Sequence, residues 1–263
     1  MKLIRKHDHR IVLLILCALV AGGCFKDKGL QITPTLAAET NALPAIEIKQ
    51  LRPGVWVHTS YHRLSNGTVY PSNGAIVQEG EHLLLIDPAW GAEATQQLLQ
   101  SIDREIGLPI KRAVSTHFHG DRTLGVDVLA AAGVTVFAHP RTIELSASRG
   151  NPVPENVLPN LNLSGAKVSL GSVEVFYPGP GHAPDNIMVW LPQQNILYGG
   201  CAIREMASNT LGNTEDADLL SWPESIKQAQ QRYTQAEIII PGHGKIGGAE
   251  LFGHMLRLFE QSR

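Results

Sequence analysis

Three side chains that commonly bind metal ions lie within five residues of one another, directly after a short apolar strand. His117, His119 and Asp121 follow the predicted strand 113–115 and lie at the start of a predicted helix over 122–132. On a continuous helix His119 would face away from the other two, whereas an extended loop can place both histidines on one side. An aspartate at the start of the next helix can then turn inward. The alternative is a pair of polar loop histidines followed by a helix-capping aspartate.

Three further residues of ligand type each lie in a glycine-framed turn after an apolar strand. His182 lies in Gly-Pro-Gly-His, Cys201 in Tyr-Gly-Gly-Cys and His243 in Pro-Gly-His-Gly. Glycine lets the backbone turn tightly and bring a ligand close to a metal. Six ligands divide most simply into three per ion, and three protein ligands with one open position are typical of a catalytic zinc. Histidine and cysteine favour zinc over calcium or magnesium, so the sequence predicts two zinc ions per chain.

The order of predicted strands and helices indicates an α/β fold. Strands alternate with helices from residue 83 to 148, strands without helices follow to residue 198, and a helix–strand–helix pattern completes the chain. Since strand-rich segments flanked by helices occur in both halves, we expect two stacked mixed sheets with helices on the outer faces. The sequence Ser65-Asn66-Gly67 between two strands predicts a projecting hairpin.

The amino-terminal segment has the features of an export signal. Four basic residues and one acidic residue within positions 1–10 precede an apolar run that is too short to span a membrane as a helix. The small residues before Cys24 resemble a bacterial lipobox, in which that cysteine is lipidated, although ordinary signal-peptidase cleavage nearby is the alternative. We therefore predict a signal peptide (1–23), a linker (24–44) and a catalytic domain (45–263). The expected location is the periplasm, with attachment to the outer membrane if Cys24 carries lipid.

The charge balance excludes some classes of partner. Lys and Arg number 22 against 24 Asp and Glu, and removal of residues 1–23 would leave 18 against 23. This domain has no basic field to collect nucleic acid or an anionic bilayer. Cys17 leaves with the signal and Cys24 would be acylated, so Cys201 would be the remaining thiol in an oxidising compartment. An unpaired exported thiol supports a metal-binding role.

A family resemblance begins near residue 55, continues to the carboxyl terminus, and covers about four-fifths of the chain. The following strings carry it: Tyr70-Pro71-Ser72-Asn73-Gly74, Leu85-Ile86-Asp87, Ala89-Trp90-Gly91, residues 115–121, Gly125-Val126-Asp127-Val128-Leu129, Asp185-Asn186, Gly199-Gly200-Cys201, the run 212–218 that begins Gly212-Asn213, and Pro241-Gly242-His243-Gly244. On these strings the chain resembles the class B metallo-β-lactamases, first subclass, and among acquired enzymes the VIM group. The resemblance implies the αβ/βα sandwich of the metallo-β-lactamase fold. It also implies a first zinc held by His117, His119 and His182, and a second held by Asp121, Cys201 and His243.

Residue 122 separates this resemblance from other hydrolases of similar fold, many of which have a histidine there. Here the residue is Arg122, and Cys201 stands where first-subclass lactamases have the soft ligand of the second zinc. By resemblance we expect Arg122 and Asp87 to orient the metal ligands without touching substrate. The alternatives are an exported hydrolase of a thioester, lactone, phosphodiester or other ester, and a non-catalytic zinc-binding lipoprotein.

The resemblance implies zinc-dependent hydrolysis of the β-lactam amide in penicillins, cephalosporins and carbapenems, which would confer antibiotic resistance. Zinc lowers the pKa of bound water to about 7, so no serine nucleophile is needed. Asp121 could orient that water or relay its proton, and Asn213 would lie near the carbonyl oxygen of the substrate. We expect the protein to be a monomer.

Substrate contacts are expected from five residues. Arg204 stands where many relatives have a lysine that pairs with the substrate carboxylate, and its alternative is a solvated surface arginine. Asn213 follows a glycine, so its amide could instead only shape a turn. By resemblance Trp90, Tyr61 and Tyr70 supply an apolar wall over the ligand, and the alternative for Trp90 and Tyr70 is a place in the core.

Overall fold

The structure, a computed structural model, describes residues 42–262. The predicted signal peptide, Cys24 and most of the predicted linker lie outside the described residues. The described part contains twelve strands and six helices. The strands are β1 (Glu47–Arg52), β2 (Val55–Arg63), β3 (Val69–Glu79), β4 (His82–Ile86), β5 (Ile110–Ser115), β6 (Thr135–Ala138), β7 (Asn156–Val157), β8 (Ala166–Leu170), β9 (Val173–Tyr177), β10 (Met188–Leu191), β11 (Ile196–Gly200) and β12 (Ile238–Pro241). The helices are α1 (Ala92–Glu105), α2 (Gly120–Thr123), α3 (Val126–Ala131), α4 (Pro140–Arg149), α5 (Trp222–Arg232) and α6 (Glu250–Gln261). Between residues 42 and 262 no helix is long and apolar enough to cross a bilayer.

The strands form two mixed sheets. The first has seven strands in the order β1-β2-β3-β4-β5-β6-β7, antiparallel as far as β4 and parallel from β4 onward. The second has five strands in the order β12-β11-β10-β9-β8, and only β11 and β12 run parallel. Both sheets therefore combine the two pairing modes, as predicted.

Three apolar layers hold the sheets and helices together. Alternate residues of a strand face opposite sides of a sheet, so Ala75 on β3 joins the layer between the sheets while its neighbour Ile76 faces the helices. On β11 the same alternation sends Tyr198 to the central layer and Leu197 to the layer beneath α5 and α6. The arrangement is helix, sheet, sheet, helix, which confirms the predicted αβ/βα sandwich.

The predicted hairpin is present between β2 and β3. Its paired strands run from Val55 opposite Val77 to Arg63 opposite Val69. The turn is closed by backbone hydrogen bonds in which Leu64 donates to the Thr68 carbonyl and Gly67 to the Leu64 carbonyl.

The predicted continuous helix over residues 122–132 is wrong. Two short helices, α2 and α3, occupy this stretch and are separated at Leu124 and Gly125. Gly125 lies so close to α1 that a Cβ there would be 2.1 Å from Oγ1 of Thr95 and 2.7 Å from Pro88. Tight packing against a neighbouring helix, which leaves no local pattern, determines this break.

Candidate metal centre

The six predicted ligand residues all follow the carboxyl ends of strands. The loop after β5 carries His117 and His119, and Asp121 follows as the second residue of α2. The loop after β9 carries His182. Cys201 and His243 lie one and two residues beyond the ends of β11 and β12, respectively. Because β5 belongs to the first sheet and the other three strands to the second, the site joins one edge of both sheets.

Three of the ligand residues, His117, His119 and His182, form a first group and point ring nitrogen atoms at one another. His117 Nε2 lies 3.0 Å from His119 Nδ1, which lies 3.1 Å from His182 Nε2. Burial, together with the neighbouring His119, lowers the pKa of His117 well below its usual range and that of His182 to about 3. Those two imidazoles are therefore neutral at physiological pH, which is the form that binds metal.

The other three ligand residues, Asp121, Cys201 and His243, form a second group, which combines a carboxylate, a thiol and an imidazole. Asp121 Oδ2 lies 3.2 Å from His243 Nε2 and 3.4 Å from Cys201 Sγ, and the last two atoms are 3.3 Å apart. The ligand atom of His117 lies within 4.8 Å of those of Asp121 and Cys201, so the two groups adjoin. His117 thus lies close to both groups, and the division into three and three is the one that the family resemblance implies.

The chemistry of the second group fits a bound cation. Burial, and the nearby Asp121 carboxylate, raise the pKa of the Cys201 thiol although Arg122 opposes the rise. A bound metal removes this penalty, because a coordinating thiol is deprotonated outright. Nitrogen, oxygen and sulfur ligands in groups of three match zinc with an open coordination position.

Arg122 lies in the protein interior beneath the second group. It is fully buried, and its Nη2 lies 3.0 Å from both Cys201 Sγ and Asp121 Oδ2. The guanidinium also donates to the backbone carbonyls of Asn73 (2.6 Å) and Gly242 (2.9 Å). Burial alone raises the pKa of Asp121, but Arg122 and His243 outweigh it and hold that pKa well below its usual range. Arg122 thus keeps a ligand ionised without itself facing the cavity.

Asp87 fixes the backbone just before the histidine pair. One carboxylate oxygen accepts from the Thr116 amide (2.8 Å), and the other accepts from the Thr116 hydroxyl (2.8 Å) and the Tyr198 hydroxyl (2.7 Å). Asp87 has φ 60°, a left-handed conformation that a non-glycine residue seldom adopts. Burial raises its pKa to about 6, since the stabilising partners only partly compensate. Asp87 therefore orients the loop that carries His117, as expected from the resemblance.

Gly242 shows why glycine precedes His243. A Cβ at this position would be 2.6 Å from Cys201 Sγ and 2.8 Å from Arg122 Nη2. No side chain fits between these two groups, so glycine here brings the His243 loop against Cys201.

A cavity of about 640 Å³ opens over both groups, a size suited to a small-molecule ligand. Trp90 and Tyr70 line it, as the resemblance implies. The Tyr70 ring lies 4.9 Å from the His243 ring, and Trp90 stacks on His62 at 4.5 Å. Their aromatic faces make an apolar wall beside the second group.

Arg204 and Asn213 also line this cavity. Nη2 of Arg204 donates to the Tyr70 hydroxyl at 3.1 Å, and the guanidinium packs on Gly212, where a Cβ would be 3.0 Å from Nη1. Arg204 is therefore held in the cavity and is not a freely solvated side chain. Asn213 Oδ1 accepts from the Glu215 amide at 3.1 Å, so this residue shapes its turn while its Nδ2 remains a donor for a ligand.

The predicted place of Tyr61 in the wall of this cavity is wrong. Its hydroxyl donates to Glu47 on β1 at 2.5 Å, and the side chain lines a separate cavity beside residues 42–46. The register that pairs Thr59 with Glu47 places Tyr61, two residues further along β2, on the same side as that carboxylate.

Three residues near the metal ligands were missed by the sequence reasoning. Nε2 of His119 lies 3.0 Å from Asp216, Arg149 pairs with the same carboxylate, and Tyr198 bonds to Asp87 beneath the site. Tyr198 was detectable, since it begins the string that ends at Cys201. Asp216 lies in the run 212–218 that carries part of the family resemblance, but nothing in that run indicates a contact with His119, 97 residues away. Arg149, 30 residues from His119, lies in none of the strings that carry the resemblance.

Comparison with known proteins gives the same family by three routes. Residues 67–243 match the model of a family described as the metallo-beta-lactamase superfamily. A metallo-beta-lactamase type 2 of Bacillus cereus is 36% identical over 220 residues, covering 84% of this chain and 85% of the relative. A protein of the same name from Pseudomonas aeruginosa is 35% identical over 228 residues, covering 87% and 89%.

Solved structures agree with the sequence relatives. The metallo-beta-lactamase FIM-1 of Pseudomonas aeruginosa, solved in a mono-zinc form, is 37% identical with a TM-score of 0.79. It aligns with 83% of this chain and 96% of its own. A metallo beta lactamase of Hirschia baltica has the same TM-score at 34% identity, covering 82% of this chain and 98% of its own.

Proposed function

This chain belongs to the metallo-beta-lactamase superfamily and is a β-lactam hydrolase, and from that premise we propose that it hydrolyses penicillins, cephalosporins and carbapenems with two zinc ions, thereby conferring antibiotic resistance. The observation that carries the proposal is the pair of adjacent ligand groups at the base of one cavity. Each group offers three ligand atoms, which leaves room for solvent or substrate on each ion. The cavity adds a cation, Arg204, for the carboxylate that β-lactams share.

We also propose that the protein belongs to the first subclass, with the VIM group as its nearest acquired relatives. Support comes from Arg122, where the third subclass and many other hydrolases of this fold have histidine, and from His117, where the second subclass has asparagine. Cys201 among the second group of ligands supports it as well. The buried guanidinium occupies the space beneath Asp121, so residue 122 is not available as a ligand.

Zinc in these groups supplies a Lewis acid and activates water near neutral pH. The protein side chains do the rest. Arg204 can hold the substrate carboxylate through charge-assisted hydrogen bonds, and Nδ2 of Asn213 can donate to the carbonyl oxygen as negative charge develops there. Asp121 Oδ1, 3.9 Å from His117 Nε2, lies between the two groups, where it can orient a water molecule. Trp90 and Tyr70 shield the reacting bond from bulk solvent.

The test is hydrolysis of a penicillin, a chromogenic cephalosporin and a carbapenem by the purified protein, before and after chelation and again after zinc addition. We expect all three activities to disappear with the metal and to return with zinc. Cys201→Ser is the matched variant, because it changes one ligand atom and retains the shape of the site. If the zinc-loaded protein hydrolyses esters or thioesters but no β-lactam, the proposed substrate class is wrong.

Export and lipid attachment are a separate proposal that rests on the sequence of residues 1–24. We propose a periplasmic protein, monomeric and anchored to the outer membrane through lipidated Cys24. Incorporation of labelled fatty acid by the wild type and its absence from Cys24→Ala would support it. A soluble, unlabelled mature protein from both would show conventional cleavage instead.

A further inference from the structure

One ligand histidine is held on its outer side by a carboxylate. His119 directs Nδ1 at the other two histidines of the first group, and its Nε2 lies 3.0 Å from Asp216 Oδ2. An imidazole that binds metal through Nδ1 carries its proton on Nε2, so Nε2 donates to Asp216. By contrast, the buried Nδ1 of His182 has no hydrogen-bond partner within residues 42–262.

The same carboxylate is held by a cation. Nη2 of Arg149, the last residue of α4, lies 2.5 Å from Asp216 Oδ1. The two oxygens of Asp216 are therefore divided between Arg149 and His119. This arrangement leaves the carboxylate one orientation in which it can satisfy both donors.

Arg149 is itself positioned by the metal loop. Its guanidinium lies over the ring of Phe118 at 5.3 Å, and Nδ2 of Asn151 donates to the Phe118 carbonyl at 2.9 Å. Phe118 is the residue between the two histidines of the loop. The end of α4, the segment that carries Asp216 and the metal loop thus form a closed set of contacts.

We propose that the Arg149–Asp216 pair positions His119 and thereby raises the affinity of the first ligand group for zinc. Metal-binding histidines commonly donate their second N–H to a carboxylate, which fixes the ring orientation and increases ligand basicity. Asp216 has that role here, and Arg149 acts only through Asp216. The inference rests on the proposed zinc site and identifies which residues set its strength.

The two residues contribute unequally. Asp216 is largely buried, with 16% of its side chain exposed, whereas half of the Arg149 side chain is exposed. An exposed ion pair contributes little energy, so Arg149 mainly restricts the carboxylate. Loss of an outer carboxylate of this kind lowers metal affinity about 10–100-fold.

The experiment measures zinc affinity of the full protein by competition with a chromophoric chelator. We expect Asp216→Ala to weaken the first binding step about 10–100-fold, and Arg149→Ala to weaken it by at most about fivefold. Arg141→Ala, an exposed arginine on the same helix, is the matched control and should bind zinc like the wild type. Asp216→Asn keeps an acceptor oxygen, so its affinity should lie between those of wild type and Asp216→Ala.

A second measurement separates positioning from general damage. In Co²⁺-loaded Asp216→Ala the ligand-field absorption of the first group should change, while the thiolate charge-transfer band of the second group stays. Equal zinc affinity and equal Co²⁺ spectra for wild type and Asp216→Ala would overturn this inference alone. Failure of the wild type to bind zinc would instead overturn the proposed function.

Discussion

The two ligand groups share a cavity but are supported in different ways. The first group consists of three imidazoles, and its outer support, Asp216 with Arg149, lies at the cavity surface. The second group contains a carboxylate and a thiol, and its direct support is the fully buried Arg122, which in turn contacts Asp87 and Tyr198. Support at the surface can change with little effect on folding, whereas a buried charge network is part of the core.

This difference predicts that the two groups respond differently to substitution. Removing a buried cation leaves uncompensated carboxylates in the interior, which is costly. Removing a surface pair mainly alters the metal site itself.

The largest effect on stability is expected from Arg122→Leu. It removes the cation between Asp121 and Asp87 and should cost about 3–5 kcal/mol of unfolding free energy in the metal-free protein. Urea denaturation with chelator present measures this. Arg52→Leu, which breaks an exposed pair with Glu237, should cost at most about 1 kcal/mol. If Asp216→Ala destabilises the metal-free protein as much as Arg122→Leu, the contrast between the two regions is wrong.

The next effect is a loss of stability in acid through His58, which belongs to the buried network. Nε2 of His58 donates to the Asp87 carbonyl at 3.0 Å, and burial lowers the pKa of His58 to about 4. Between pH 6.5 and 4 the unfolded chain binds this proton and the folded chain does not, so stability falls as the pH falls. The loss amounts to about 3 kcal/mol.

Comparison with His58→Gln isolates this contribution. Burial raises the pKa of Asp87 and of Asp185 to about 6, which favours the folded state as the pH falls, but both carboxyls remain in the variant. The difference in unfolding free energy between wild type and variant should therefore shrink steadily from pH 6.5 to pH 4. A constant difference would show that His58 does not remain neutral in the fold.

Arg204→Ala tests the substrate side of the cavity. Losing a charge-assisted contact with the substrate carboxylate should raise KM about tenfold, with kcat changed less than about twofold. Arg204→Lys should recover part of the loss because it retains the charge. Arg204 contacts Tyr70, which lies against His243 of the second group. The zinc affinity of the first group should therefore not change. An unchanged KM would remove Arg204 from the substrate site.

Tyr70→Phe should have the smallest effect. It removes the hydroxyl that accepts from Arg204 and should raise KM about threefold through loss of one hydrogen bond. Tyr61→Phe is the matched control, because its hydroxyl pairs with Glu47 outside the cavity. An equal rise in KM for both variants would return Tyr61 to the cavity wall and contradict the structure.

The ligand residues could be predicted because their signals are local. Each follows an apolar strand, and all except His117 are next to glycine, so strand ends that meet at one sheet edge bring them together. Arg122 and Asp87 were placed by resemblance, but their contacts with Tyr198 depend on how the two sheets pack. That packing joins residues 76 and 111 positions apart.

The remaining features depend on tertiary geometry. Asp216 meets His119 and Arg149 because its loop, the metal loop and the end of α4 converge, and no local pattern indicates those contacts. The position predicted for Tyr61 is wrong because the alternation of side chains along a strand shows only which residues share a face of the sheet. It does not show which side chains of neighbouring elements those residues contact. The helix break at Gly125 follows from close contact with Thr95, which is likewise invisible in the local sequence.

We propose that two adjacent ligand groups each hold one zinc ion and together hydrolyse β-lactams. The most direct measurement titrates metal-free protein with zinc while bound metal and carbapenem hydrolysis are recorded in the same samples. We expect binding to saturate at two zinc ions per chain and activity to rise with occupancy to a plateau at that point. Saturation at one ion, or two bound ions without hydrolysis, would contradict a two-zinc β-lactam hydrolase.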